Sequence, residues 1–98
     1  MPTFVVFSKL TDKGAQTVFE RPERVREVNR ELEEMGVRVV EQYVMLGEWD
    51  FLNIVEAPDE PTLLAALTNL NMRGTIRTAT YRIVPVDEYL EYIKKKRG

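Results

Sequence analysis

A mixed α+β fold of the order strand-helix-strand-strand-helix-strand, closed by a C-terminal helix, is predicted by three observations. Four runs rich in β-branched and aromatic residues are spread along the chain, and two helical stripes of apolar residues separate the first run from the second and the third from the fourth. The second and third runs are divided only by Gly47-Glu48, which reads as a tight hairpin turn. With 98 residues, the chain has the size of one domain, expected over 1–98. Such a domain hides roughly 65% of its unfolded surface and needs no staples.

Thr3–Leu10 is the first strand. Phe4, Val6 and Ser8 share one face and Val5, Phe7 and Lys9 the other, so both faces carry large apolar groups and the strand is expected to be central. Thr11-Asp12-Lys13-Gly14 then breaks the pattern with turn residues. A helix is predicted over 22–35. Pro22 suits an early helical position, Val25, Val28, Leu32 and Met35 form one stripe, and Gly36 supplies the C-terminal stop. The opposite face is Arg and Glu, including Arg30 and Glu34 at the favourable four-residue spacing.

Strands are predicted over 37–46 and 49–57. Pro58-Asp59-Glu60-Pro61 ends the latter and starts a helix with Asp59 as N-cap and Leu63, Leu67 and Leu70 on its apolar face. The fourth strand covers 75–84 and stops at Pro85, and Asp87 is expected to cap a short last helix with Leu90 and Ile93. This order is the split βαβ, ferredoxin-like plait, in which two helices cover one face of a four-stranded antiparallel sheet. On the third strand Phe51, Asn53 and Val55 point one way and Leu52 and Ile54 the other, so the face without helices is also apolar. An exposed apolar sheet marks an interaction surface. A homodimer or higher homo-oligomer packed sheet against sheet, braced by the last helix, is the expected assembly.

Composition narrows the function. With neither cysteine nor histidine, the chain has no disulfide, no thiolate nucleophile, no histidine triad and no cysteine or histidine to bind zinc, which excludes most zinc chemistry; no metal and no cofactor are expected. A net charge of −2 lacks the basic face of a nucleic-acid binder, and Lys94-Lys95-Lys96-Arg97 suits a helix C-terminus complementing its dipole. No apolar run approaches the roughly 18 residues of a membrane span. The N-terminus reads as a strand and not as a signal peptide, so a cytoplasmic location is expected. Nine Arg against five Lys, with twelve Glu among sixteen acids, hints at a thermophilic source.

The most distinctive segment is Gly47-Glu48-Trp49-Asp50-Phe51-Leu52. Together with Lys9-Leu10-Thr11-Asp12-Lys13-Gly14, Val55-Glu56-Ala57-Pro58-Asp59-Glu60 and Gly74-Thr75-Ile76-Arg77-Thr78-Ala79-Thr80, it resembles the GYD-domain family across residues 2–84. Trp49 stands where that family usually has Tyr, which keeps an aromatic ring and loses a hydroxyl. The resemblance implies a ferredoxin-like plait that dimerises as an α/β barrel, and implies no particular reaction. The Gly-acid-aromatic-Asp hairpin and the later Gly-x-x-x-Thr-x-Thr strand also resemble the effector-binding domain of Lrp/AsnC-type regulators. That resemblance implies a dimer binding small molecules near subunit contacts, here without a helix-turn-helix.

Seven residues are candidates for a ligand site: Lys9, Glu48, Trp49, Asp50, Asn53, Thr78 and Thr80. Glu48 and Asp50, two apart, would share a face at the hairpin mouth, where paired carboxylates push one pKa up. The plainer reading makes Glu48 a solvated turn residue and Asp50 a local acceptor. Trp49 could stack on a ligand or simply pack. Asn53 lies inside an apolar strand and needs partners, either at a dimer contact or in a cavity. Lys9 could anchor an anion or act as a nucleophile, against the commoner solvated end-of-strand role. Thr78 and Thr80 share a face with Arg82 and could line a polar pocket, and Tyr43 and Tyr81 are acids or packing groups. A small-molecule-binding or regulatory module is the first expectation. A cofactor-free enzyme of the dimeric α/β-barrel type is the alternative, disfavoured by the missing histidine, and a structural or partner-binding subunit is the third.

Overall fold

The computed structural model describes residues 1–98. Its elements are β1 (Thr3–Leu10), α1 (Asp12–Glu20), α2 (Arg24–Glu34), β2 (Arg38–Val44), β3 (Phe51–Glu56), α3 (Glu60–Met72), β4 (Ile76–Ile83) and α4 (Val86–Arg97). The four strands form one antiparallel sheet in the order β2-β3-β1-β4, with β1 central as the sequence predicts. This is the ferredoxin-like plait with one addition.

The addition is α1, which occupies the segment read as a turn. Thr11 is its N-cap, accepting a hydrogen bond from the Gly14 N–H at 3.1 Å and donating to the Gly74 carbonyl at 2.7 Å. Gly14 is a contact residue and not a turn residue. A Cβ placed there would lie 1.9 Å from the Thr75 carbonyl oxygen, so only glycine lets α1 sit this close to the start of β4. The second helix begins at Arg24, two residues after Pro22, and Gly36, at φ +89°, carries the chain out of it.

The β2–β3 connection is also longer than predicted: residues 45–50 form the loop and β3 starts at Phe51. Asp50 diverts the chain. Its N–H donates to the Ser8 carbonyl at 2.9 Å and its Oδ2 accepts from the Leu10 N–H at 2.8 Å, closing the end of β1. α4 begins at Val86 behind Pro85, so Asp87 lies within its first turn rather than at the cap.

Alternation and register sort the side chains. Phe4, Val6 and Ser8 on β1, Phe51, Asn53 and Val55 on β3, and Thr78, Thr80 and Arg82 on β4 face the helices. Leu32 of α2 and Leu63, Ala66 and Leu70 of α3 close over them, and Val37 and Ala57 complete the buried core. The other face carries Val5, Phe7, Leu52, Ile54, Ala79, Tyr81 and Ile83, and no helix packs over it; the Trp49 ring reaches it at Phe7. Every residue of α4 is exposed as well. Hence only 12 of 98 residues are buried, sparse for a chain of this length.

Candidate functional site

Two places could bind something, and they lie on opposite sides of the sheet. The first is a cavity of about 260 Å³ between the sheet and helices α1, α2 and α3. Its walls are mainly aliphatic: Leu10, Val18, Val25, Val28 and Leu67 line it together with the rim of the core.

A row of polar side chains crosses the sheet wall of this cavity. Asn53, 7% exposed, donates through Nδ2 to the Val6 carbonyl at 2.9 Å and to Ser8 Oγ at 3.0 Å. Its Oδ1 accepts from Gln42 Nε2 at 2.8 Å. Gln42 in turn exchanges hydrogen bonds with Asn29 of α2, at 2.9 and 3.3 Å. A β-bulge makes this row possible. The register shifts between Val39 and Glu41, so that Gln42 comes to lie opposite Asn53. Strict alternation from Val39 would have turned Glu41 and Tyr43 inward instead.

Two guanidiniums border the cavity, and both are occupied. Arg24 bonds Glu31 at 2.9 Å and Glu27 at 3.3 Å, and Arg73, at the end of α3, bonds Glu31 and, at 2.7 Å, Asn69. The hydrogen bond from Arg73, then that from Arg24, holds the Glu31 carboxyl below the ordinary carboxylate range. The pairing with Glu31 also raises Arg24. The cluster ties α2 to α3.

The second place is the open face. The Phe7 ring lies 6.0 Å from the Trp49 ring, tilted at 40°, and 6.0 Å from the Tyr81 ring in an edge-on arrangement. Tyr43 stands beside Leu52 on β3, with its hydroxyl bonded to Glu41, which raises the tyrosine pKa. Lys9 and Arg77 face each other across β1 and β4 at one end, two like charges with no acidic partner in the chain.

The seven candidate residues do not converge. Asn53 lines the cavity. Lys9 and Trp49 belong to the open face, with Lys9 exposed and Trp49 packed on Phe7. Asp50 is pinned to the end of β1, while Glu48 is exposed in the loop. Thr78 and Thr80 lie under α3 at the β4 edge. Thr78 Oγ1 accepts from Asn71 at 2.9 Å, and the buried Thr80 Oγ1 has no partner. Three members of the polar row, Ser8, Gln42 and Asn29, were absent from the candidates. The signal for Ser8 was its place in line with Phe4 and Val6, and the signal for the others was the partner that a buried Asn53 requires.

The GYD domain model matches residues 4–93. A protein of Thermus thermophilus, called "Glutamine synthetase and cystathionine beta-lyase binding protein", is 50% identical over 95 residues, covering 96% of this chain and 100% of the relative. Among solved structures, the crystal structure of TTHA0845, also from Thermus thermophilus, is similar, with a TM-score of 0.52 and 26% identity. The match spans 87% of this chain and 99% of that one.

Proposed function

The chain belongs to the GYD domain family, and we propose that it is a non-catalytic binding protein in which two copies pair through their open sheet faces and the pair docks onto larger metabolic enzymes. The observation that carries the pairing is surface in excess. The chain exposes 6943 Å², about 1,200 Å² more than the ~5,760 Å² expected of a folded monomer of its mass. A standard interface removes about 800 Å² per partner. The open face and the exposed apolar side of α4, with Val86, Tyr89, Leu90 and Ile93, supply that area. The charges favour a second copy, because a two-fold interface sets unlike parts of one patch against each other. Lys9 and Arg77 lie at one end of the face and Glu41 toward its β2 edge.

Docking onto enzymes is supported by the name of the 50% identical relative, which describes a protein that binds glutamine synthetase and cystathionine beta-lyase. The absence of histidine and cysteine is in keeping with binding rather than catalysis. A cytoplasmic location goes with this reading, and no helix is long and apolar enough to cross a membrane. The cavity favours a second role on the same molecule, the binding of a small molecule between helices and sheet.

Sedimentation velocity, with biolayer interferometry against purified glutamine synthetase and cystathionine beta-lyase, tests both halves. The expected results are a mass of two chains or a multiple of two, and saturable binding to at least one enzyme. A single-chain mass at every micromolar concentration would remove the pairing. Failure to bind either enzyme at high micromolar concentration would remove the docking.

A further inference from the structure

From the cavity we infer a ligand: a neutral, mostly apolar molecule of about ten non-hydrogen atoms whose single hydrogen-bond-accepting head, a carbonyl or hydroxyl, sits on Ser8. The inference rests on the small-molecule reading of the cavity and gives it a site and a chemical class. It is independent of docking through the open face.

Size comes from volume. An engineered apolar cavity of about 150 Å³ takes benzene, so the 260 Å³ present here suits roughly ten non-hydrogen atoms. Of the 24 lining residues 14 are hydrophobic, so most of the ligand must be apolar as well.

The head group follows from counting donors and acceptors along the polar row. Both Nδ2 hydrogens of Asn53 are used, on Val6 and Ser8, and both Nε2 hydrogens of Gln42 are used, on Asn53 and Asn29. Ser8 Oγ accepts from Asn53, and its own hydrogen bonds to nothing in the chain. One free donor, 7% exposed and on the cavity wall, therefore awaits an acceptor.

Charge excludes the ionic alternatives. Arg24 and Arg73 are held by Glu27 and Glu31, and Lys13 is exposed at the border. A carboxylate at Ser8 would lose its hydration for one hydroxyl, because the one unpaired cation of the lining, Lys13, stays in solvent at the border, and that burial costs far more than the burial of a neutral carbonyl. A ligand ammonium would face no free carboxylate.

The test uses the full chain at neutral pH with three probes of matched length, 2-octanone, 1-octanol and octanoate, read by calorimetry and thermal shift. The ketone and the alcohol are expected to bind and raise Tm, and octanoate to do neither. Ser8→Ala should weaken 2-octanone roughly tenfold. Val28→Phe, which fills the cavity from α2, should abolish binding of both. Circular dichroism establishes that each variant folds, and if Ser8→Ala fails to fold, Val28→Phe and the probe ranking still decide. Octanoate binding as tightly as the ketone would overturn the inference, and so would undiminished ketone binding by Val28→Phe. If none of the probes binds, the class is wrong. Native mass spectrometry then separates the two claims, because a retained small molecule keeps the ligand reading and a bare mass removes that as well.

Discussion

The same four strands meet two unlike environments. On one side Phe4, Val6 and Val55 lie under α2 and α3 and are at most 5% exposed. On the other, their immediate neighbours Val5, Phe7 and Ile54 are equally apolar, yet only half-buried. Residue type is nearly the same on the two faces, so burial is decided by what the chain has available to cover them. Two helices and the added α1 are spent on one face, and α4, which could cover the other, stands away from it. The contrast teaches that an apolar pattern on both faces of a strand predicts that both will be covered, without saying whether the cover comes from the same chain.

The sharpest way to break this contrast is to truncate the two phenylalanines separately. Phe4→Ala should lower stability by about 3–5 kcal/mol in urea denaturation, and by the same amount at every protein concentration. Phe7→Ala should cost less in the isolated chain, and its cost should grow with concentration as pairing begins to contribute. An equally large, concentration-independent loss for Phe7→Ala would mean that the open face is covered within one chain. Next in size is Gly14→Ala. The added Cβ must push α1 off the Thr75 carbonyl, for a loss of about 2–3 kcal/mol. Since α1 roofs one end of the cavity, the same variant should also widen it, which 2-octanone affinity would report.

Polar groups on the covered face provide a finer comparison. Asn53→Leu removes the centre of the polar row, which bonds Val6, Ser8 and Gln42, and leaves Gln42 with a donor unused, so about 1–3 kcal/mol should be lost. Thr80→Val removes a buried hydroxyl that has no partner, and should be neutral or stabilising by up to about 1 kcal/mol. If Thr80→Val destabilises as much as Asn53→Leu, the Thr80 hydroxyl has a partner in solution, most simply an ordered water.

Particular residues explain how much of this was legible in the sequence. The α2 stripe and its Gly36 stop were, because a 3.6-residue period and a positive-φ glycine are local signals. So were the central position of β1 and the facing of Asn53, because alternation needs no tertiary information. α1 was not. Gly14 imitates a turn residue, and what selects it is the Thr75 carbonyl about sixty residues away. Asp50 likewise ends the hairpin loop by bonding to Leu10 and Ser8, contacts that the Gly47-Glu48 turn signal does not reveal. The cavity row stayed hidden for the same kind of reason. The bulge near Val40 reverses which of Glu41 and Gln42 faces inward, and a bulge is a property of the pairing rather than of either strand. Asn53 could thus be flagged as needing partners, while Gln42 and Asn29 could not be named as those partners.

The smallest expected effect belongs to the ion cluster that closes α2 onto α3. Glu31 is held below the ordinary carboxylate range, chiefly by Arg73 and then by Arg24, while the unfolded chain restores it to about 4.3. A carboxyl with a lowered folded pKa stabilises the fold fully above its unfolded pKa. It loses that contribution as pH falls through the folded value. The Glu31 side chain is 34% exposed, so solvent screening limits the gain to about 0.5–1 kcal/mol. Glu31→Gln should therefore lower stability by that amount at pH 7, and the gap to wild type should close below about pH 4 as the native carboxyl protonates. Raising salt at pH 7 should narrow the gap in the same direction. A gap that persists at low pH would mean that Glu31 acts by packing between the helices and not by charge. The cover on this side of the sheet would then be fastened by shape alone, as the open face would have to be in its partner.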